Sequence, residues 1–170
     1  MKALAHPSGA VIIEALIAAR VEFVVSVPDI VTSDGLLWPL SKRNDIRLVR
    51  VCKEDEGVSI CAALAVCDRR AVLLMQQTGL MDSLNAIRAI GKDYRQPVCM
   101  IDGHQGKEPH LSPERSGSFG VRIIRPILKI MEIETHLVEQ PDDCDMILPA
   151  IERAYATSEP VCILIGRSPS

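Results

Sequence analysis

Residues 49–85, V-R-V-C-K-E-D-E-G-V-S-I-C-A-A-L-A-V-C-D-R-R-A-V-L-L-M-Q-Q-T-G-L-M-D-S-L-N, decide the fold class. They read as strand, helix, strand and helix in succession, and both strands end in polar groups. In an open parallel sheet, ligands bind outside the carboxyl ends of the strands. The acidic cluster Glu54, Asp55, Glu56 and the polar glycine loop 76–79 therefore fall on one rim, side by side.

The same alternation continues outward. Ser8 can cap a helix over 11–19, and 23–27 reads as a short buried strand stopped by Pro28. A helix around 36–42, a strand over 47–52, a helix over 55–67, a strand over 71–75 and a helix over 80–90 follow. A strand from Pro97 to Ile101 leads into a polar loop over 102–120. Helix 126–131, a short strand at 136–138, helix 142–156 and a final strand 161–165 complete the pattern. Such alternation predicts an α/β fold: a three-layer, doubly wound, mostly parallel sheet with helices on both faces. No linker, internal repeat or low-complexity segment divides the chain, so 1–170 is expected to be a single domain.

A chain of 170 residues that is 48% hydrophobic can bury roughly 70% of its unfolded surface, enough for a core without covalent staples. The six cysteines form no C-x-x-C pair and mostly sit in apolar runs, which predicts buried free thiols. A net charge of −3 without a basic stripe argues against nucleic acid as the partner. The start M-K-A-L-A-H-P-S lacks a sustained apolar core, and no apolar run reaches membrane-spanning length. A cytoplasmic protein is the expectation.

Glu54 has two readings. A carboxylate at a strand end can bond a ligand nitrogen and stabilise its protonated tautomer. Acids are also common in the first helical turn, where the dipole favours negative charge. The 102–120 loop is longer than an ordinary connection in a compact domain, and loops of that length are more often lids or binding loops. His104 and His110 lie in it, either as solvated loop residues or as groups suited to proton transfer near neutrality. His6 and His136 read as structural or exposed. Asp29, after Pro28 at the end of the first strand, shares the rim with Glu54, although Asp after Pro is also an ordinary turn residue.

The run K-E-D-E-G-V-S-I-C-A-A, followed by L-L-M-Q-Q-T-G-L-M-D-S-L-N-A-I, resembles the pyrimidine-binding domain of thiamine diphosphate-dependent 2-oxoacid decarboxylases. It is similar to sulfopyruvate decarboxylase alpha subunits and phosphonopyruvate decarboxylases. V-P-D at 27–29 and E-P-H at 108–110 extend the likeness along the chain. The resemblance implies that Glu54, counted back from Ala63, is the glutamate that hydrogen-bonds N1′ of the cofactor's aminopyrimidine. It further implies that Gln77, Thr78 and Gly79 line the cofactor, that Asp29, His104 and Gln105 face the substrate, and that His110 is a second catalytic candidate.

The departures from the family pattern bear on substrate. Gln105 stands where relatives of the sulfonate and phosphonate type carry an arginine, and an amide cannot supply the charged fork that suits such oxyanions. Thr78 replaces Ser, Met81 and Asp82 replace Gly-Asn, and Ala63 replaces Gly. Asp34-Gly35 and Asp102-Gly103 occur, but no G-D-G with a downstream Asn that would hold Mg²⁺ and the diphosphate. The resemblance therefore implies half an enzyme: an alpha subunit of a heteromeric, oligomeric decarboxylase of a small acidic 2-oxoacid. A separate pyrophosphate-binding beta subunit would hold the diphosphate and Mg²⁺, with no metal ligand on this chain. A carboligase subunit and a non-catalytic assembly subunit of the same fold are the alternatives.

Overall fold

The computed structural model describes residues 5–170; residues 1–4, part of the N-terminal stretch read above for a secretion signal, lie outside the described residues. Six strands, β1 Phe23–Ser26, β2 Arg47–Arg50, β3 Ala71–Gln76, β4 Cys99–Gly103, β5 Glu134–Val138 and β6 Val161–Ile165, form one sheet in the order β2-β1-β3-β4-β6-β5. Every neighbouring pair is parallel, so the mostly parallel expectation becomes a wholly parallel sheet. Among the described residues no helix is long and apolar enough to cross a membrane.

Side chains alternate across a strand, and the two faces of the sheet separate accordingly. Val24, Val72, Leu74, Cys99, Ile101, Val161, Ile163 and Ile165 pack in one core with α1 Gly9–Ala18, α2 Trp38–Ser41 and α7 Ile147–Thr157. Val25, Leu73, Met75, Met100, Cys162 and Leu164 pack in the other, beneath α3 Glu54–Val66, α4 Gln77–Asp82, α5 Leu84–Ala86 and α6 Phe119–Ile130. This two-sided burial explains why β3, β4 and β6 read as near-continuous apolar runs, while the edge strand β2 is half-exposed.

Several elements depart from expectation: the helix of 36–42 is a π-helical stretch Ser33–Leu37 followed by α2, and that of 142–156 is a 3₁₀ stretch Pro141–Met146 followed by α7. The strand of 97–101 is displaced to Cys99–Gly103, because Asp102 and Gly103 continue the ladder opposite Leu164 and Ile165. The helix expected over 126–131 begins at Phe119 and carries Pro126 in its interior; Val121, Ile124 and Leu128, spaced for one helical face, are fully buried and hold it to the sheet. Consequently the polar loop shrinks to residues 104–118 and contains a 3₁₀ turn at Pro113–Arg115. The helix of 80–90 is instead a series: α4, a break at Ser83, α5, then a π-helical stretch Ile87–Asp93. Cys61, Cys99, Cys144 and Cys162 are buried free thiols, but Cys52 and Cys67 are exposed.

At the N-terminal side of α1, Ser8 caps the helix as expected, its hydroxyl accepting from the Val11 amide at 3.4 Å. Gly9 donates to the carbonyl of Ser170 at 3.0 Å, and its Cα lies against the backbone of Gly35. A methyl at Gly9 would overlap the Gly35 carbonyl, so Gly9→Ala is expected to cost ~1–3 kcal/mol. Gly120→Ala, whose methyl would meet only the Met81 Cε at 3.6 Å within α6, should gain ~0.5–1 kcal/mol from helix propensity. Urea unfolding of the two variants checks the opposite signs.

Candidate functional site

The strand order reverses direction at β1, which has β2 on one side and β3 on the other. That switch point opens a crevice beyond the carboxyl ends of the strands. Glu54 enters it from the first residue of α3, and Gly79 from α4 directly after β3. Glu54 lies across the Cα of Gly79 so closely that a methyl at 79 would overlap its carboxylate. Gly79 sits in a helix and needs no unusual backbone, so its missing side chain serves to make room for Glu54. The two motif halves are thus brought into contact.

The three acids of the cluster are separated by their partners. Glu56 Oε2 accepts from the Cys52 amide at 3.1 Å, and Asp55 Oδ1 accepts from the Glu56 amide at 2.9 Å. Both therefore serve the start of the helix. Half-buried Glu54 receives no hydrogen bond or ion pair among the described residues, which leaves its carboxylate available to a ligand.

Other predicted site residues hold the rim together. Asp29, 6% exposed, turns its carboxylate into its own loop: Oδ1 accepts from the amides of Val31 and Thr32 at 2.7 and 2.9 Å, and the Thr32 hydroxyl donates to Oδ2. Gly103 fits beneath this loop, where a methyl would come within 2.9 Å of Asp29 Oδ1. Gln77 is buried, and its amide clasps the backbone of Gln105, donating to the carbonyl and accepting from the N–H, both at 2.9 Å. Thr78 is exposed, its hydroxyl accepting from the Gln76 side chain at 2.9 Å. The Gln105 side chain is half-buried.

The two loop histidines part company. His110 is exposed, whereas His104 is buried, 3% exposed, and is no solvated loop residue. Its Nε2 stands 3.4 Å from Oδ2 of Asp102, with both side chains closed to solvent. Reading Asp102 as a loop residue concealed it as a buried carboxylate; the signal was the apolar run 98–101 just before it, which a strand can extend. Lys107 was also passed over: its side chain is fully buried and paired with Glu139, and its Nζ donates to the Glu108 carbonyl at 3.1 Å. Glu108 closes the loop by accepting from Ser116 Oγ at 2.7 Å and the Gly117 amide at 2.9 Å. A cavity of about 240 Å³ opens between Val31, residues 104–109 and residues 166–168 on this rim. Among the described residues, no group of three His, Cys, Asp or Glu side chains gathers to hold a metal.

Sheet topology and rim together define a three-layer α/β fold of the thiamine diphosphate pyrimidine-binding type. Across 155 residues the chain is 31% identical to sulfopyruvate decarboxylase subunit alpha of Methanococcus maripaludis, a match covering 89% of this chain and 90% of that protein. Subunit alpha from Methanocaldococcus jannaschii is 29% identical over 154 residues, covering 90% and 89%, and that from Methanothermobacter thermautotrophicus 29% over 151 residues, covering 88% and 90%. No family model matches the chain. The chain belongs to the sulfopyruvate decarboxylase alpha subunit family.

Burial pushes the Asp102 carboxyl up to about 6 from an ordinary value of 3.8, with the neighbouring His104 pulling the other way. The native state then holds the proton more tightly than the unfolded chain, so this group makes stability fall as pH rises between about 3.8 and about 6. A gap of about two pKa units corresponds to roughly 3 kcal/mol. Compared with Asp102→Asn, which has no such proton, the unsubstituted chain should lose up to that amount across the window, read from urea midpoints at pH 4, 5, 6 and 7.

Proposed function

We propose that this chain is the alpha subunit of a heteromeric thiamine diphosphate-dependent decarboxylase acting on a small acidic 2-oxoacid. The observation that carries the reading is the contact of Glu54 with Gly79: a half-buried carboxylate without a protein partner, at the switch-point crevice, against a position kept free of a side chain. Such a cradle fits the edge of an aminopyrimidine ring. Thiamine diphosphate, when bound, supplies the nucleophilic carbon and the electron sink for loss of carbon dioxide.

Within this reading Glu54 would accept a hydrogen bond from the protonated ring nitrogen N1′ and hold that proton. Gly79 and the backbone of α4 would form the floor beneath the ring, and the Gln77 clasp would fix the level of residues 104–105 beside it. The diphosphate and Mg²⁺ would be held by a separate beta subunit, and the 2-oxoacid would lie between the two chains near His104 and Gln105. Sulfopyruvate is the substrate in the names of the relatives, and a neutral Gln105 would leave its sulfonate to another group such as one on the partner. The rim of this chain is one wall of the site.

Glu54→Gln keeps size and hydrogen-bonding capacity but loses the carboxylate, so activity with the partner subunit should fall by ~10²–10⁴ while the urea midpoint is little changed. Glu56→Gln, removed from the crevice by its bond to Cys52, should be mild. Gly79→Ala should resemble Glu54→Gln in activity, because the added methyl displaces the Glu54 carboxylate rather than any backbone. Full activity of Glu54→Gln in the assembled complex would overturn the assignment.

A further inference from the structure

The cavity between Val31, residues 104–109 and residues 166–168 has no part in the contact of Glu54 with Gly79. Its volume of about 240 Å³ is below that of pockets enclosing drug-sized ligands, yet it leaves room for one small polyatomic ion. No Asp or Glu lines it, whereas Gln105, Lys107 and Arg167 do. The acids nearby are committed elsewhere. Glu139 pairs with the buried Lys107, and Gly166 leaves room for it, since a methyl there would come within 2.6 Å of the Glu139 Oε1. Asp29, on the loop that supplies Val31, turns both carboxylate oxygens to Val31 and Thr32.

Arg167, half-buried just after β6, pairs with no carboxylate among the described residues. Its Nε and Nη2 donate to the Pro109 carbonyl at 3.1 and 2.9 Å, and its Nη1 to the carbonyls of Ala5 and Glu139 at 3.1 and 3.2 Å. These bonds leave one Nη2 hydrogen free and neutralise none of the charge. Drawing a cation out of water without a counter-ion is costly, and an anion in the cavity would offset that cost. Gln105 offers a second donor. Its backbone is held by Gln77 through two bonds of 2.9 Å, while its half-buried side-chain amide has no partner among the described residues. Beyond it the chain turns back at Gly106, whose φ of 81° suits glycine.

We propose that this cavity is a subsite for one small oxyanion, with Arg167 supplying the charge and Gln105 a neutral donor. Resting on the thiamine reading above, the oxyanion is the acidic group, sulfonate in class, at the end of the 2-oxoacid away from its carbonyl. The Gln77 clasp ties this wall to α4, which carries Gly79. Gln105 brings no charge to that group; Arg167 brings it from the end of β6.

The test begins with the full chain alone and methanesulfonate as probe, at constant ionic strength. ¹H–¹⁵N spectra should show saturable shifts of the Arg167 Nε–H, the Gln105 side-chain amide and the backbone amides of 104–107 and 166–168. Dimethyl sulfone, similar in shape but uncharged, should leave them in place. Gln105→Glu sets a carboxylate at the cavity without touching the backbone clasp and should weaken methanesulfonate binding ~10-fold or more. Gln105→Arg should tighten it. A response to methanesulfonate that does not saturate or is not centred on these groups overturns the proposal, and so does an affinity indifferent to Gln105→Glu. In complex with the partner subunit, Gln105→Glu should raise KM for a sulfonate-bearing 2-oxoacid ~10-fold more than KM for pyruvate. Equal changes for both substrates would mean that the cavity takes a free anion and not the substrate's, which overturns the assignment. An unsubstituted complex inactive on every 2-oxoacid would instead remove the decarboxylase reading while the methanesulfonate result stood.

Discussion

A parallel sheet buried on both faces constrains everything else in this molecule. Parallel strands require crossover connections, the crossovers carry helices, and the helices cover both faces. β3, β4 and β6 are accordingly closed to solvent almost along their full length. Polar chemistry has few places to go under that constraint. It collects where strands end and helices begin, and the reversal of strand order at β1 separates neighbouring connections and opens the crevice there.

Within the rim, polar groups divide by whether the chain itself satisfies them. Asp29, Gln77, Glu108 and Glu56 each accept or donate to backbone and so fix the loops around the crevice. Such groups rigidify; they have little capacity left for a ligand. Glu54 differs in having room and no partner, and the Asp102–His104 couple differs in being buried without one. Unsatisfied polar groups are costly in an interior, so the gathering of four such atoms on Asp102 and His104 at the end of β4 is itself a functional signature.

Fold class and the order of elements were legible because the apolar runs of β3, β4 and β6 and the turn residues between them obey strong periodicities. Boundaries were less legible where a polar residue is buried or a breaker is tolerated. Asp102 ended the expected strand two residues early, since nothing local distinguishes a buried aspartate in a ladder from one that starts a loop. Pro126 displaced the start of α6 by seven residues relative to Phe119, since proline is a favoured first-turn residue and its tolerance inside a helix depends on the burial of Val121, Ile124 and Leu128. In the site, the pairing of Glu54 with the glycine loop followed from topology, and its contact with Gly79 bears that out. The inward turn of Asp29 and the clasp of Gln77 on Gln105 were invisible, because both are tertiary hydrogen bonds between residues that sequence presents merely as polar.

Two large apolar side chains stand exposed on the loops of this rim. Ile30, in the loop after β1, is 75% exposed, and Phe119, at the start of α6 after the β4 loop, is 66% exposed. Large apolar side chains on the loops around a polar crevice do not stabilise an isolated chain; they gain from burial only against a second surface. On the proposed reading Glu54 would gain in the same way, because a carboxylate open to water discriminates poorly between protonation states of a bound ring, while one closed off from water acts in a lower dielectric. On the proposed reading, a closing surface that buried these apolar side chains would also sharpen the chemistry of the acid, because this fold can place its polar groups only on the rim.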